Sequence, residues 1–395
     1  MILPLIEEKR KGENEMWYMN EERAMIRDMV RNFTQNEVKA AVKEMEENDA
    51  YPHELMRKAG DLGILGLAYP EEVGGQGQDF VNLGIAIEEI AKESPCAALC
   101  VLLSGFLGAR PIYDLGTPEQ KEKILKPIIE GKEIFVNSLT EPVGINNWFD
   151  YRTTAVLDGD EWVINGGKIF ATNAGESEWY SVMCVTGEID PMQMKGLSMI
   201  LVRKDTPGFK VGHIENKLGL HGSSTGQLYF KDCRVPKENV LGTVDFGYAQ
   251  LAPNTMKGMA FLGIIALGLA EGVYEKTVQY CKERMHVGKS LYDSYQVVRH
   301  QLADMYAKID MIKAELYAIL DDMNSNDPTV LTRSLVAKGN AAHIAEEIAS
   351  KCVLLHGGNG VVVENDIERY FRDAKMWDIA GGDVPALIDA ATMFL

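Results

Sequence analysis

The hydrophobic period of the chain changes twice, and each change narrows the folds open to it. From Asn20 to Glu47, apolar residues such as Ala24, Met25, Met29, Val30 and Phe33 return every three or four positions in a charged background, the pattern of an amphipathic helix. Further helical stretches follow at His53–Ile64 and Phe80–Ser94, with a loop at Pro70–Gly77 (PEEVGGQG) and a stop or restart at Pro95. Thr117-Pro118 reads as an N-cap with proline in the first helical position, opening a run to about Ile129. Around Gly131, short β-branched and aromatic runs take over, separated by turn signals such as Asp158–Asp160 (DGD) and Asn165–Gly167 (NGG). Candidate strands are Tyr151–Leu157, Glu161–Asn165, Tyr180–Thr186, Leu197–Val202 and Gln227–Phe230, which suit an antiparallel barrel or sandwich of roughly 110 residues. From about Tyr248 helical spacing returns, interrupted at Gly357–Gly360 (GGNG) and Gly381–Asp383.

This order predicts an α+β multi-domain fold: an N-terminal helical bundle over 16–133, a middle antiparallel β-barrel or sandwich over 134–245 and a C-terminal helical bundle over 246–395. A length of 395 residues also exceeds what one core usually organises. There is no internal repeat or low-complexity linker, so the units are expected to pack together and share a cleft for a ligand. Lys and Arg number 40 against 58 Asp and Glu, a formal charge of −18. That balance argues against nucleic acid or an anionic membrane surface as the main partner, but leaves room for a locally basic pocket.

The six cysteines (Cys96, Cys100, Cys184, Cys233, Cys281, Cys352) include no CxxC pair, so neither a disulfide framework nor a metal site is expected. The start MILPLIEEKRKGENE does not read as a signal peptide. The longest apolar run, Met259 to Ala270, has 12 residues and two glycines. A bilayer needs roughly 20, so no membrane span is expected and the reading is a cytoplasmic protein with a buried helix.

Ten stretches, in order and at matching intervals, give the chain a resemblance to the acyl-CoA dehydrogenase family. They are PEEVGGQG, Gly116–Leu125 (GTPEQKEKIL), Ser138–Pro142 (SLTEP), Asn165–Ala174 (NGGKIFATNA), Lys217–Thr225 (KLGLHGSST), Phe230–Gly242 (FKDCRVPKENVLG), Glu283–Leu291 (ERMHVGKSL), Gln301–Met305 (QLADM), His356–Gly360 (HGGNG) and Glu368–Lys375 (ERYFRDAK). The resemblance implies an FAD held between the barrel of one subunit and the C-terminal helices of another, with an acyl-CoA thioester on the flavin face. It also implies a homotetramer, or a hetero-oligomer with a related chain, passing electrons to an electron-transferring flavoprotein. Leu139, Thr140, Phe170, Ala171 and Thr172 match positions that line the flavin, with Phe170 placed to stack and Thr172 to donate a hydrogen bond. Asn146 stands where a small hydroxyl commonly helps to hold the cofactor. Arg284 matches an arginine at the FAD pyrophosphate, Gln296 a glutamine near the adenine end, and Gly357 and Gly358 a pair that lets backbone approach the cofactor.

The departures cluster where the family does its chemistry. That chemistry removes the α-proton with a carboxylate while the β-hydrogen leaves as hydride to the flavin. The two positions that carry the glutamate in family members are Gly381 and Gly258 here, and neither can accept a proton. The Asp and Arg that hold CoA map to Met256 and Met259, with Lys257 nearby, and Leu354 and His221 replace a glutamine and an arginine. Asp383 replaces a threonine beside the flavin pyrophosphate, and Pro385 replaces another polar neighbour. Three readings follow: an FAD enzyme acting on an unusual acyl thioester, with Asp383 or, more weakly, Asp150 as a displaced base; a catalytically degenerate subunit whose partner supplies the glutamate; or a non-redox acyl-CoA lyase, which needs no α-proton base.

Overall fold

The computed structural model describes residues 16–144, 148–325, 327 and 329–392. Helices lead from Glu21 to Ile129. The ones that position the site are α1 (Glu21–Phe33), α2 (Phe80–Ala91) and α3 (Pro95–Leu102). Each start is written in the sequence: Asn20, Asp79 and Ser94 each accept a backbone N–H of the first turn, and Pro95 opens α3. The segment after Thr117 closes a full capping box with Gln120.

The strand unit comprises β1 (Phe135–Ser138), β2 (Thr154–Asp158), β3 (Glu161–Thr172), β4 (Trp179–Asp190), β5 (Lys195–Arg203), β6 (Phe209–Ile214), β7 (Thr225–Pro236) and β8 (Val240–Leu241). Their order is β6-β7-β3-β2-β4-β5-β8, and β1 joins β4. Most pairs are antiparallel, whereas β1 and the start of β2 run parallel to β4. Two local readings change. The NGG at Asn165–Gly167 is not a turn: β3 runs through it with a register shift between Ile164 and Gly166, and a Cβ on Gly166 would lie 2.6 Å from the Thr153 Cα. Strand β6 was not expected because Gly212 interrupts its run. That glycine lies under the Tyr229 ring, where a Cβ would stand 2.4 Å from Cε2.

The C-terminal unit is built on α4 (Gly247–Glu283), α5 (Gln296–Ser325), α6 (Val330–His356), α7 (Ile367–Met376) and α8 (Val384–Thr392). Helix α4 is the hub and contacts α2, α3, α5, α6 and β5, with every residue from Gly258 to Val273 buried. Two helical stretches, Pro95–Leu115 and Gly247–Glu283, are long and apolar enough to cross a membrane, but 78% and 89% of their most apolar windows are buried inside the protein. Their apolar surface is used as core.

The three units pack together, and buried charge reinforces the joint. Lys313 of α5 reaches Glu88 of α2 at 2.8 Å and Glu271 of α4 at 2.9 Å; Lys92 reaches Glu271 at 3.2 Å, and the Tyr317 hydroxyl donates to Glu88 at 2.7 Å. Burial alone would raise the Glu88 carboxyl, yet Lys313 and Lys92 hold it down at about 2. Burial, with Glu88 beside it, pushes Glu271 up to about 7. Replacing Lys313 with Met leaves Glu88 and Glu271 to share Lys92, which Glu89 already contacts at 3.0 Å. It should cost about 3–5 kcal/mol in denaturant unfolding; a loss under about 1 kcal/mol would mean the cluster is not energetically coupled.

Candidate functional site

One candidate surface lies on the barrel. Between Lys168 and Ala171 the pairing of β3 with β7 shifts, so Ile169 and Phe170 bulge out of register. Phe170 takes φ +52°, an uncommon conformation for an aromatic residue, and 61% of it is exposed. The bulge is held from both sides. The Ile169 N–H donates to the Thr140 carbonyl at 2.9 Å, and beneath it the Lys168 ammonium meets Glu141 at 2.7 Å with the lysine side chain 0% exposed.

Glu141 also accepts the N–H groups of Arg152 at 2.7 Å and Thr153 at 3.1 Å, and the Lys168 ammonium lies 4.3 Å from the Tyr151 ring centroid. Burial pulls the Lys168 amine down, while its three donors hold the Glu141 carboxyl below the usual range against its own burial. We read the pair as ionised, since Glu141 would otherwise lose all three charge-assisted bonds. The consequence is a rigid patch that gathers half-buried Leu139 and Thr140, exposed Phe170, buried Ala171 and half-buried Thr172. Asn146, assigned to the same patch by sequence, lies outside the described residues.

A second candidate surface lies at the far end of α4. Arg284 ends that helix exposed, with no ion pair among the described residues, and its carbonyl accepts the Leu291 N–H at 2.9 Å. A short hairpin, Met285–His286 against Lys289–Ser290, then leads toward Gln296, which is exposed at the start of α5. One turn before Arg284, the Tyr280 ring stacks on His356 at 4.1 Å, and its hydroxyl bonds the His356 carbonyl and Asn359. Gly357 follows with φ +61° and ψ −134°, and a Cβ at Gly357 or Gly358 would meet nothing within 4 Å. The two glycines therefore present open backbone beside the Arg284 turn, at the edge of a cavity of about 310 Å³ lined by Tyr280, His356 and Asn359. No hydrogen bond among the described residues joins this rim to the barrel patch.

The third region is the turn between α7 and α8. Gly381 (φ +79°) and Gly382 (φ +118°) hold conformations that L side chains rarely adopt. A Cβ on Gly381 would stand 2.4 Å from Leu262 Cδ1 and 3.4 Å from Met259 Cε; one on Gly258 would stand 2.2 Å from Leu107 Cδ2. Leucine side chains thus fill both places from which a carboxylate would project. Asp383 is exposed and serves as the N-cap of α8, its Oδ1 accepting the Ala386 N–H at 3.0 Å. Asp150 sits on the surface at the end of the short turn Trp148–Asp150. Met259 is buried; Met256 and Lys257 are half-buried, and Lys257 has no ion pair among the described residues.

Sequence reasoning missed two buried lysines. Lys338 of α6 is 1% exposed and donates to the Gly382 carbonyl at 3.0 Å; burial pulls its amine down to about 8. It occupies the buried stripe Ser334, Leu335, Lys338, Ala341, Ala342, Ala345, so a lysine at apolar helical spacing was the available signal. Lys168 lies on the buried face of β3 with Trp162 and Ile164, which alternation could have revealed had the bulge been expected.

The residues present suit a flavin dinucleotide: an exposed ring on a rigid bulge, a threonine hydroxyl beside it, and a free arginine with open glycine backbone for phosphate. Three family models match in sequence: the N-terminal domain of acyl-CoA dehydrogenase over residues 20–132, the middle domain over 137–233 and the C-terminal domain over 249–388. The short-chain specific acyl-CoA dehydrogenase of Clostridium acetobutylicum is 36% identical, over 95% of this chain and 99% of that one. A subunit of the caffeyl-CoA reductase-Etf complex of Acetobacterium woodii is 32% identical, over 92% and 96%. The structure of butyryl-CoA dehydrogenase from Megasphaera elsdenii superposes with a TM-score of 0.90 at 29% identity, covering 96% of this chain and 99% of that one.

If the glycine pair faces the cofactor, Gly357→Val should lower the FAD-to-protein ratio after gel filtration about tenfold, through backbone strain of about 1–3 kcal/mol and a filled approach. Helix content by circular dichroism should be unchanged. An unaltered ratio would remove these glycines from the site.

Proposed function

Because the chain belongs to the acyl-CoA dehydrogenase family and is a flavoenzyme that uses FAD, we propose that it acts on a short acyl-CoA thioester without the family's glutamate base, and in the reducing direction. The observation that carries this reading is the filling of both base positions: Leu262 occupies the space beside Gly381, and Leu107 the space beside Gly258. With Met256 and Met259 on the same stretch of α4, these side chains shorten and dry the acyl pocket.

When bound, FAD supplies the hydride donor or acceptor for the β-carbon of the thioester. The chain's residues supply the rest. Phe170 offers its face to the ring and Thr172 a hydroxyl, while Lys168 and Glu141 keep the bulge from relaxing. Arg284, Gly357 and Gly358 would hold the phosphates of an FAD bound to a neighbouring copy and Gln296 its adenine end, with Asp383 beside the pyrophosphate; Asn146 is assigned to the flavin by its motif alone.

Removing an α-proton demands a positioned base, and none projects from Gly381 or Gly258. The same group would return the proton in reduction, so its loss slows both directions. The choice of direction rests on the relative named as a subunit of a caffeyl-CoA reductase-Etf complex. The same relative supports an electron-transferring flavoprotein as the redox partner. Exposed apolar residues on the C-terminal unit (Val287 89%, Leu354 72%, Val363 70%) suit faces covered in an oligomer of a cytoplasmic enzyme. A degenerate subunit that borrows its glutamate from a related chain is the second reading, favoured by the loss of both base positions together.

The test is the visible spectrum of the protein expressed alone. We expect bound flavin which, once reduced, is reoxidised anaerobically by short enoyl-CoAs and is bleached poorly by butyryl-CoA. Colourless protein that turns yellow only with a related chain would replace this reading with the second. Gly258→Glu combined with Leu107→Ala, at a helical position free of the positive φ of Gly381, should confer bleaching by butyryl-CoA; continued inertness would refute the pocket placement.

A further inference from the structure

Buried polar atoms without a partner gather where β1, α4 and the wide helical turn Leu103–Gly108 come together. Ser104 is 0% exposed, and its Oγ has no hydrogen bond among the described residues. It shares a face of its turn with Gly108, four residues on, where a Cβ would stand 2.8 Å from Phe135 Cδ1 of β1. Asn137 lies two positions after Phe135 on the same side of β1, and its Nδ2 donates to the Leu107 carbonyl at 2.6 Å. A carbonyl can only accept, so this bond fixes the amide's orientation and leaves Asn137 Oδ1 buried without a partner among the described residues. On α4, Asn254 stands one turn before Gly258, the glycine beside which Leu107 packs. Its Nδ2 is likewise buried without a described partner. Leu103, Leu107, Asn137 and Asn254 are all half-buried, so the three elements border a cleft instead of closing on one another.

An acceptor, a donor and a hydroxyl left unpaired in one place are costly, and Leu107 and Met256 keep the surroundings apolar. A ligand hydroxyl answers all three: it donates to Asn137 Oδ1, accepts from Asn254 Nδ2 and exchanges either way with Ser104. A carboxylate would oppose Asn137 Oδ1 and an ammonium would oppose Asn254 Nδ2, so the group is neutral. In the acyl placement proposed above, on which this inference rests, these atoms border the pocket beside Leu107. We propose that Asn137, Asn254 and Ser104 are specificity-determining residues for a short acyl-CoA that carries a hydroxyl on its acyl chain. The α-carbon exchanges a proton and the β-carbon a hydride, so the hydroxyl belongs beyond them, and the fourth carbon is the first that can bear it.

The test is isothermal titration calorimetry of the holoenzyme with 4-hydroxybutyryl-CoA and with butyryl-CoA, for wild type, Asn137→Leu and Asn254→Leu. Wild type should bind the hydroxylated thioester about a hundredfold more tightly, because a site built to hydrogen-bond a hydroxyl rejects the analogue that lacks it. Each variant should bring the two affinities to within about threefold of one another, since its leucine leaves the hydroxyl unpaired. Equal wild-type affinities would overturn the proposal and leave ordered water as what pairs these atoms; that arm needs no variant and decides alone if neither variant folds. Losses of the same size for both thioesters in the variants would also overturn it, by setting these atoms against the CoA portion that both ligands share. Wild type that binds neither thioester would refute the acyl placement, and this inference with it. Binding is read without turnover, so a failure of the reducing direction proposed above leaves the affinity ratio unaffected.

Discussion

The close approach of α4 to the N-terminal helices is the constraint on which the rest of the structure depends. A Cβ on Gly272 would stand 1.9 Å from the Lys92 carbonyl oxygen, and one on Gly268 2.6 Å from that of Glu88, so backbone touches backbone along this seam. No other residue type permits that distance. The approach brings Glu271 within reach of Lys92 and Lys313, and so turns a cluster of four charges from a liability into a joint. One end of the same helix reaches the phosphate rim at Arg284, and its first half carries Gly258, Met259 and Leu262 to the place where a base would stand. Scaffold and chemistry hang on one rod, which is why the active-site positions can change type while the seam stays intact.

The order helices, strands, helices was legible because hydrophobic period is a local property, read within a dozen residues without knowing any partner. Capping was legible for the same reason: Thr117, Pro118 and Gln120 act on their own first turn. What could not be read depends on residues distant in the chain. The glycines at Asn165–Gly167 signal a turn by type, and only the approach of Thr153 makes them a bulge. Lys168 needs Glu141, and Lys313 needs Glu88, 225 positions away. At the candidate site, motif spacing named Phe170, Arg284 and Gly357, and each is exposed in the structure. That Asp383 caps a turn was open to the sequence by residue type, and the Ala386 N–H it accepts makes it the N-cap of α8.

Losing a glutamate and filling its place are separate events, and the second is the more informative. A deleted carboxylate alone would leave a void open to water. Here Leu262 stands in the place beside Gly381 and Leu107 in the place beside Gly258. In the proposed reading, a dry pocket would strengthen any remaining dipole and punish a charge brought in on a substrate, which favours a short, uncharged acyl group.

The electrostatics of cofactor binding run against the chain as a whole. A formal charge of −18 repels a dinucleotide at long range, but salt screens that field within about 10 Å, so affinity is set by the groups nearest the phosphates. In the proposed placement those groups are few: Arg284 with free donors, the open backbone of Gly357 and Gly358, and the α7–α8 turn, whose Gly382 carbonyl is held by a buried ammonium. An acidic protein can hold an anionic cofactor on so small a set only if each member is fixed in place. The fixed members sit at helix ends: Arg284 closes α4, Gly357 closes α6, and Asp383 opens α8.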